Sequence, residues 1–135
     1  MEQHKIELIK KSWAYVITNV SEAGNLFYGK LFEKAPEIRT LFKGDIKEQA
    51  KKLVAMVSLI VSKADKLDDL QEQIKYLAIR HENYQAQPKY YPIVGDALIE
   101  TLQEGLGNKW TVEHKTAWIE IYSILSKTMM DHYKK

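Results

Sequence analysis

The sequence predicts an all-α fold, on three observations. Apolar residues recur at helical spacing in every long segment between breaks. The three prolines and six glycines fall almost entirely at those breaks. No stretch of five or more residues alternates apolar with polar as a half-buried strand would.

The elements follow in chain order. Residues from about Glu2 to Asn19 form a first amphipathic helix, with Ile6, Ile9, Trp13, Val16 and Ile17 on one face. Ser21 is the expected N-cap of a second helix reaching Lys34, with an inner stripe of Ala23/Gly24, Phe27/Tyr28 and Leu31/Phe32. Pro36 suits the first position of a short third helix, Pro36 to Phe42, and Lys43 to Asp45 form a turn. A helix over about Ile46 to Ala64 carries Ile46, Gln49, Leu53, Met56/Val57 and Ile60 inward. Asp68 or Asp69 caps the next helix, which ends in a loop at Gln85 to Pro88. An apolar helix over about Tyr90 to Leu106 is ended by Gly105 to Asn108. Thr111 caps a last helix whose face is Trp118, Ile121/Tyr122, Leu125 and Met129. Bundle and orthogonal packings both fit this pattern.

At 135 residues the chain reads as one domain, 1–135, large enough for a real core. Apolar residues make up 45% of it, and 20 Lys+Arg against 18 Asp+Glu give a net charge of +2. That near balance supports neither nucleic acid nor an acidic membrane surface as partner. The absence of cysteine excludes disulfides, thiolate metal sites, iron–sulfur clusters and thioether-attached tetrapyrroles. No secretory signal is visible at the N-terminus, and the longest apolar run, Leu53 to Val61, is too short to span a bilayer. A cytoplasmic protein is the expectation.

Three polar side chains break the inner stripes. Leu70, Ile74, Leu77, His81 and Tyr84 form one helical stripe, with a histidine where an aliphatic residue belongs. Taken alone, a buried histidine bonded to a backbone carbonyl is the commoner arrangement, and an axial metal or haem ligand the rarer one. Tyr28 and Gln49 are the other two, on separate helices. Together they suggest a pocket with one strong ligand and two hydrogen-bonding groups. There is no His-Glu-x-x-His zinc motif, phosphate loop, dinucleotide fingerprint or G-x-S-x-G elbow. Inner stripes without carboxylates argue against a di-iron bundle. A single histidine in an apolar cavity is the arrangement haem needs.

The chain also resembles a single-domain bacterial globin of the flavohaemoglobin and neuroglobin lineage, nearly end to end. The landmarks are Trp13; Leu26-Phe27-Tyr28 followed by Leu31-Phe32; Ala35-Pro36-Glu37 leading to Leu41-Phe42; Arg80-His81; Tyr91-Pro92-Ile93-Val94-Gly95; and Ala117-Trp118 with Tyr122. The resemblance implies the globin fold, a three-over-three helical sandwich enclosing one haem b. It makes His81 the proximal iron ligand and Phe42 the ring packed on the porphyrin. Tyr28 and Gln49 match the distal pair that meets dioxygen, and Leu53 matches the apolar residue one turn on. Tyr91 matches a proximal-side tyrosine. Val94 belongs to the same wall, and Lys52 is a partner for a haem propionate or a solvated lysine.

Two departures qualify the resemblance. The proximal glutamate of flavohaemoglobins falls, by ungapped counting from Trp118, on Lys135, with Asp131 a weak substitute one turn earlier. The second is the expectation of a globin without an attached flavin and nicotinamide reductase domain. The expectation is reversible, high-affinity binding of O₂, and of NO or CO, with slow release. An alternative is nitric oxide dioxygenation served by a separate reductase. A haem-free helical interaction or sensor module is the rival from another class.

Overall fold

The computed structural model describes residues 2–41, 45–70, 72–75 and 88–133. Helix α1 (Gln3–Val16) runs into a 3₁₀ turn, Ile17–Asn19, rather than continuing as α-helix to Asn19. The reason is the cap that follows. Asn19 takes an extended conformation (φ −128°, ψ 90°), and its side chain accepts from the Glu22 backbone N–H at 3.1 Å. Its side-chain amide also donates to the Glu22 carboxylate at 3.2 Å, a second contact that holds the cap in place. Asn19, not Ser21, therefore starts α2 (Val20–Lys34).

Pro36–Leu41 is a 3₁₀ helix instead of an α-helical turn, and Phe42 lies outside the described residues. Asp45 caps α3 (Ile46–Ser62) by accepting from Lys47 N–H at 2.9 Å. That helix stops two residues short of the expected Ala64. Asp68 and Asp69 fall inside a 3₁₀ turn, Leu67–Leu70, and residues 72–75 are helical. Leu70 and Ile74, the first two members of the histidine stripe, are buried. The later members, Leu77, His81 and Tyr84, lie outside the described residues.

A 3₁₀ turn, Pro88–Tyr90, leads into α4 (Tyr91–Leu106). Gly107 ends it at φ 60°, ψ −127°, a conformation that penalises a Cβ and so calls for glycine. Thr111 caps α5 (Val112–Tyr133) as expected, its hydroxyl accepting from His114 N–H at 3.3 Å.

Helix α2 is central: α3 and α4 both pack against it, while α1 packs against α4 and α5. The core runs through Ile6, Ile9 and Trp13 on α1, Phe27 and Leu31 on α2, Leu98 and Leu102 on α4, and Trp118 and Ile121 on α5. The Trp13 and Trp118 rings meet at 6.0 Å and 55°. Each indole must also place a buried N–H. Trp13 donates to the Ser58 hydroxyl and Trp118 to the Ser12 hydroxyl, both at 2.9 Å. On the solvent side, Lys30–Glu104 and Lys34–Glu100 ion pairs link α2 to α4. These half-exposed pairs contribute little to stability.

Candidate functional site

The crossing of α2 over α3 sets the first half of the site. A Cβ on Gly24 would lie 2.5 Å from the Ala50 Cβ, so only glycine lets the two helices approach this closely. One turn beyond Gly24, Tyr28 is 5% exposed. Its hydroxyl donates to the backbone carbonyl of Gln49 at 3.2 Å. Phe27 meets the Tyr28 ring edge-on at 5.0 Å, and Phe32 stacks on it at 5.8 Å. Arg39 in turn lies over Phe32, 5.4 Å from the ring centre. Burial pushes the Tyr28 pKa up to about 12, because an anionic phenolate would lose its hydration. The hydroxyl is therefore a proton donor at any physiological pH.

The Tyr28 hydroxyl on α2 thus meets the main chain of Gln49 on α3. The expectation was two side chains turned toward a ligand, whereas the contact here is to the Gln49 backbone carbonyl. The Gln49 and Leu53 side chains are half-buried, and Leu53 packs against the core. Lys52 is exposed.

The second half lies at the start of α4. Tyr91 is buried at 5% exposure, and Ile93 and Val94 are half-buried against the core. The Tyr122 hydroxyl, from α5, donates to the Tyr91 carbonyl at 2.7 Å. Its ring lies across Gly95, where a Cβ would come within 2.6 Å of Cε2. Burial raises the Tyr122 pKa, with the neighbouring Tyr91 and Asp96 adding to the effect. This contact was not foreseen from the sequence, although a glycine in the first turns of a helix is a signal of close approach. Ser12 and Ser58, the indole partners, carried no sequence signal.

The Tyr91-Pro92-Ile93-Val94-Gly95 run, read from the sequence as a motif, is here a packed unit. His81 and Phe42 lie outside the described residues, as do Lys135 and the Asp131 side chain. An open cleft lined by Lys30, Glu100, Gln103, Glu104 and Gly107 includes none of the site residues.

The globin sequence profile matches residues 25–129. This chain belongs to the globin family. Within it, the globin is 30% identical over its whole length to an uncharacterised globin-like protein of Aquifex aeolicus, covering 96% of that protein. It is 27% identical to the neuroglobin of Tetraodon nigroviridis, over 96% of this chain and 90% of that one. Among solved structures, an engineered carbene transferase, itself a candidate nitric oxide dioxygenase of Rhodothermus marinus, superposes with a TM-score of 0.87. That superposition covers 99% of this chain and 94% of the other at 24% identity, and it shows the shared fold.

Membership implies a haem site, and the described residues suit one. Leu53, Val57, Ile93 and Val94 are apolar yet only partly covered, the condition of side chains that would face a flat apolar ring. Tyr28 adds a buried donor on α2, against the Gln49 main chain of α3. No helix among the described residues is long and apolar enough to cross a membrane.

Proposed function

We propose that this globin holds haem b through His81 and binds dioxygen, nitric oxide and carbon monoxide reversibly, releasing dioxygen slowly. The supporting observation is the buried Tyr28 hydroxyl beside Gln49 at the α2–α3 crossing. When bound, haem would supply an iron that His81 would hold and that would bind a diatomic gas, giving the gas partial negative charge. The residues of the chain do the rest. Phe42 and Leu53 would pack on the porphyrin, with Val94 and Tyr91 forming a wall on the side of His81. Tyr28 and the Gln49 amide would donate hydrogen bonds toward the partly anionic ligand. A hydrogen bond to a charged group is worth about 1.5–3 kcal/mol. Lys52, exposed on α3, is free to reach a propionate in solvent.

The same residues support a second reading. Conversion of nitric oxide and dioxygen to nitrate consumes one electron, NO + O₂ + e⁻ → NO₃⁻, which a reductase would supply. The Rhodothermus marinus neighbour favours this reading. Cytoplasmic residence fits the lack of cysteine, since nothing in the chain depends on oxidised thiols.

The test is direct. Purified protein mixed with haemin should develop a Soret band, and His81→Ala should weaken haem retention. A wild-type protein that takes up no haemin would instead favour a haem-free helical module. Nitrate formation from nitric oxide, measured with an added reductase, separates the enzymatic reading from simple binding.

A further inference from the structure

We propose that Tyr122 is a positioning residue for the haem pocket. It latches the first turns of α4, and through them Tyr91 and Val94 hold one seating of the ring. The inference rests on the haem reading above. Three features of the structure carry it.

First, the hydroxyl reaches across from α5 to the Tyr91 carbonyl at 2.7 Å, a short bond to the first residue of α4. Helix ends are where backbone order is weakest, so a bond placed there restrains more than one in mid-helix. Second, Gly95 leaves a seat for the ring one turn further along. A Cβ at that position would lie 2.6 and 2.8 Å from two ring carbons, so the ring fits only over glycine. Third, the turn thus fixed presents apolar surface still to be covered: Ile93 and Val94, which follow the buried Tyr91, are half-buried.

A buried tyrosine hydroxyl needs an acceptor wherever it lies; what sets Tyr122 apart is that its acceptor is the first residue of α4 and that Gly95 lies beneath the ring. Trp118, one turn earlier on α5, shows the contrast. It also donates across helices, to Ser12 at 2.9 Å, but it joins α5 to α1, away from the start of α4.

The experiment uses the haem-loaded protein and three variants. Tyr122→Phe removes the donor and keeps the ring, Gly95→Ala displaces the ring, and Ser12→Ala breaks the comparable α1–α5 bond. The readouts are haem release to an excess of a haem-scavenging protein, and the ratio of the two haem orientations. The ratio comes from haem-methyl proton resonances of the ferric cyanide complex. Losing one hydrogen bond corresponds to release about fivefold to tenfold faster in Tyr122→Phe, with a larger minor orientation. Gly95→Ala should move both readouts the same way. Ser12→Ala should lower the Tm comparably and leave both unchanged.

Equal haem readouts in Tyr122→Phe and Ser12→Ala would mean general loosening, and would overturn the proposal. So would wild-type release and orientation in Tyr122→Phe. Failure of the wild type to take up haemin would remove the haem reading and this inference together, whereas a normal wild type with an unaltered Tyr122→Phe removes this inference alone.

Discussion

Replacing Tyr28 with phenylalanine isolates one hydroxyl, and the structure sets how much it can matter. A donor with no prior engagement would give a partly anionic ligand the full value of a charge-assisted bond, about 1.5–3 kcal/mol. That corresponds to release slowed roughly tenfold to a hundredfold, at 1.4 kcal/mol per decade. Here the hydroxyl already donates to the Gln49 carbonyl at 3.2 Å. Turning to a ligand gives up that neutral bond, worth about 0.5–1.5 kcal/mol. The difference is about 1–1.5 kcal/mol, so Tyr28→Phe should speed dioxygen release by about fivefold to tenfold. Carbon monoxide, which accumulates less charge, should respond much less. The assay is stopped-flow displacement of dioxygen by carbon monoxide on the haem-loaded ferrous protein. A dissociation rate unchanged in Tyr28→Phe would refute the distal role. A hundredfold rise would refute the competition with the Gln49 carbonyl.

Other outcomes follow from the same geometry. Gly24→Ala should destabilise the protein by about 1–3 kcal/mol, because the new methyl meets the Ala50 Cβ at 2.5 Å and neither helix has a flexible side chain there to yield. Urea denaturation measures it, and a neutral or stabilising result would mean that α2 and α3 slide apart freely. Asn19→Ala should cost about 1 kcal/mol through loss of the N-cap, read as a lower Tm, whereas Ser21→Ala should change little. Alkali should also weaken the fold. The folded pKa of Tyr28 is raised from 10.0 to about 12, and that of Tyr122 is raised as well. Between pH about 10 and 12 the folded state therefore holds protons that the unfolded chain has lost, and stability falls as pH rises through that window. Phenolate absorbance should show Tyr28 titrating near the upper end of this window, and titration at the ordinary tyrosine pH would contradict its burial.

Much of the architecture was legible in the chain. Apolar spacing placed the faces of α1, α2, α4 and α5, because a helix that must bury one stripe advertises it every three or four residues. The stripe through Leu70 and Ile74 was also read correctly as buried. Boundaries were less legible where two capping residues compete within two positions. Asn19 prevailed over Ser21 because its side chain both accepts from the Glu22 N–H and donates to the Glu22 carboxylate. The short helix after Pro36 tightened to 3₁₀, a choice between hydrogen-bond patterns that differ by one residue.

The polar residues divide in the same way. The sequence by itself determined that Tyr28 and Gln49 interrupt apolar faces, because periodicity records which side of a helix is buried, while the Tyr91 to Gly95 run stood out only through its resemblance to globins. It could not determine where a hydroxyl points. The tertiary structure decided that the Tyr28 proton goes to a backbone carbonyl, that Tyr122 closes over Gly95 onto Tyr91, and that two serines receive the buried indole N–H groups. Each of those partners is set by the distance and angle between two helices. That quantity depends on packing at positions such as Gly24 and Ala50, far along the chain from one another, and no local pattern encodes it.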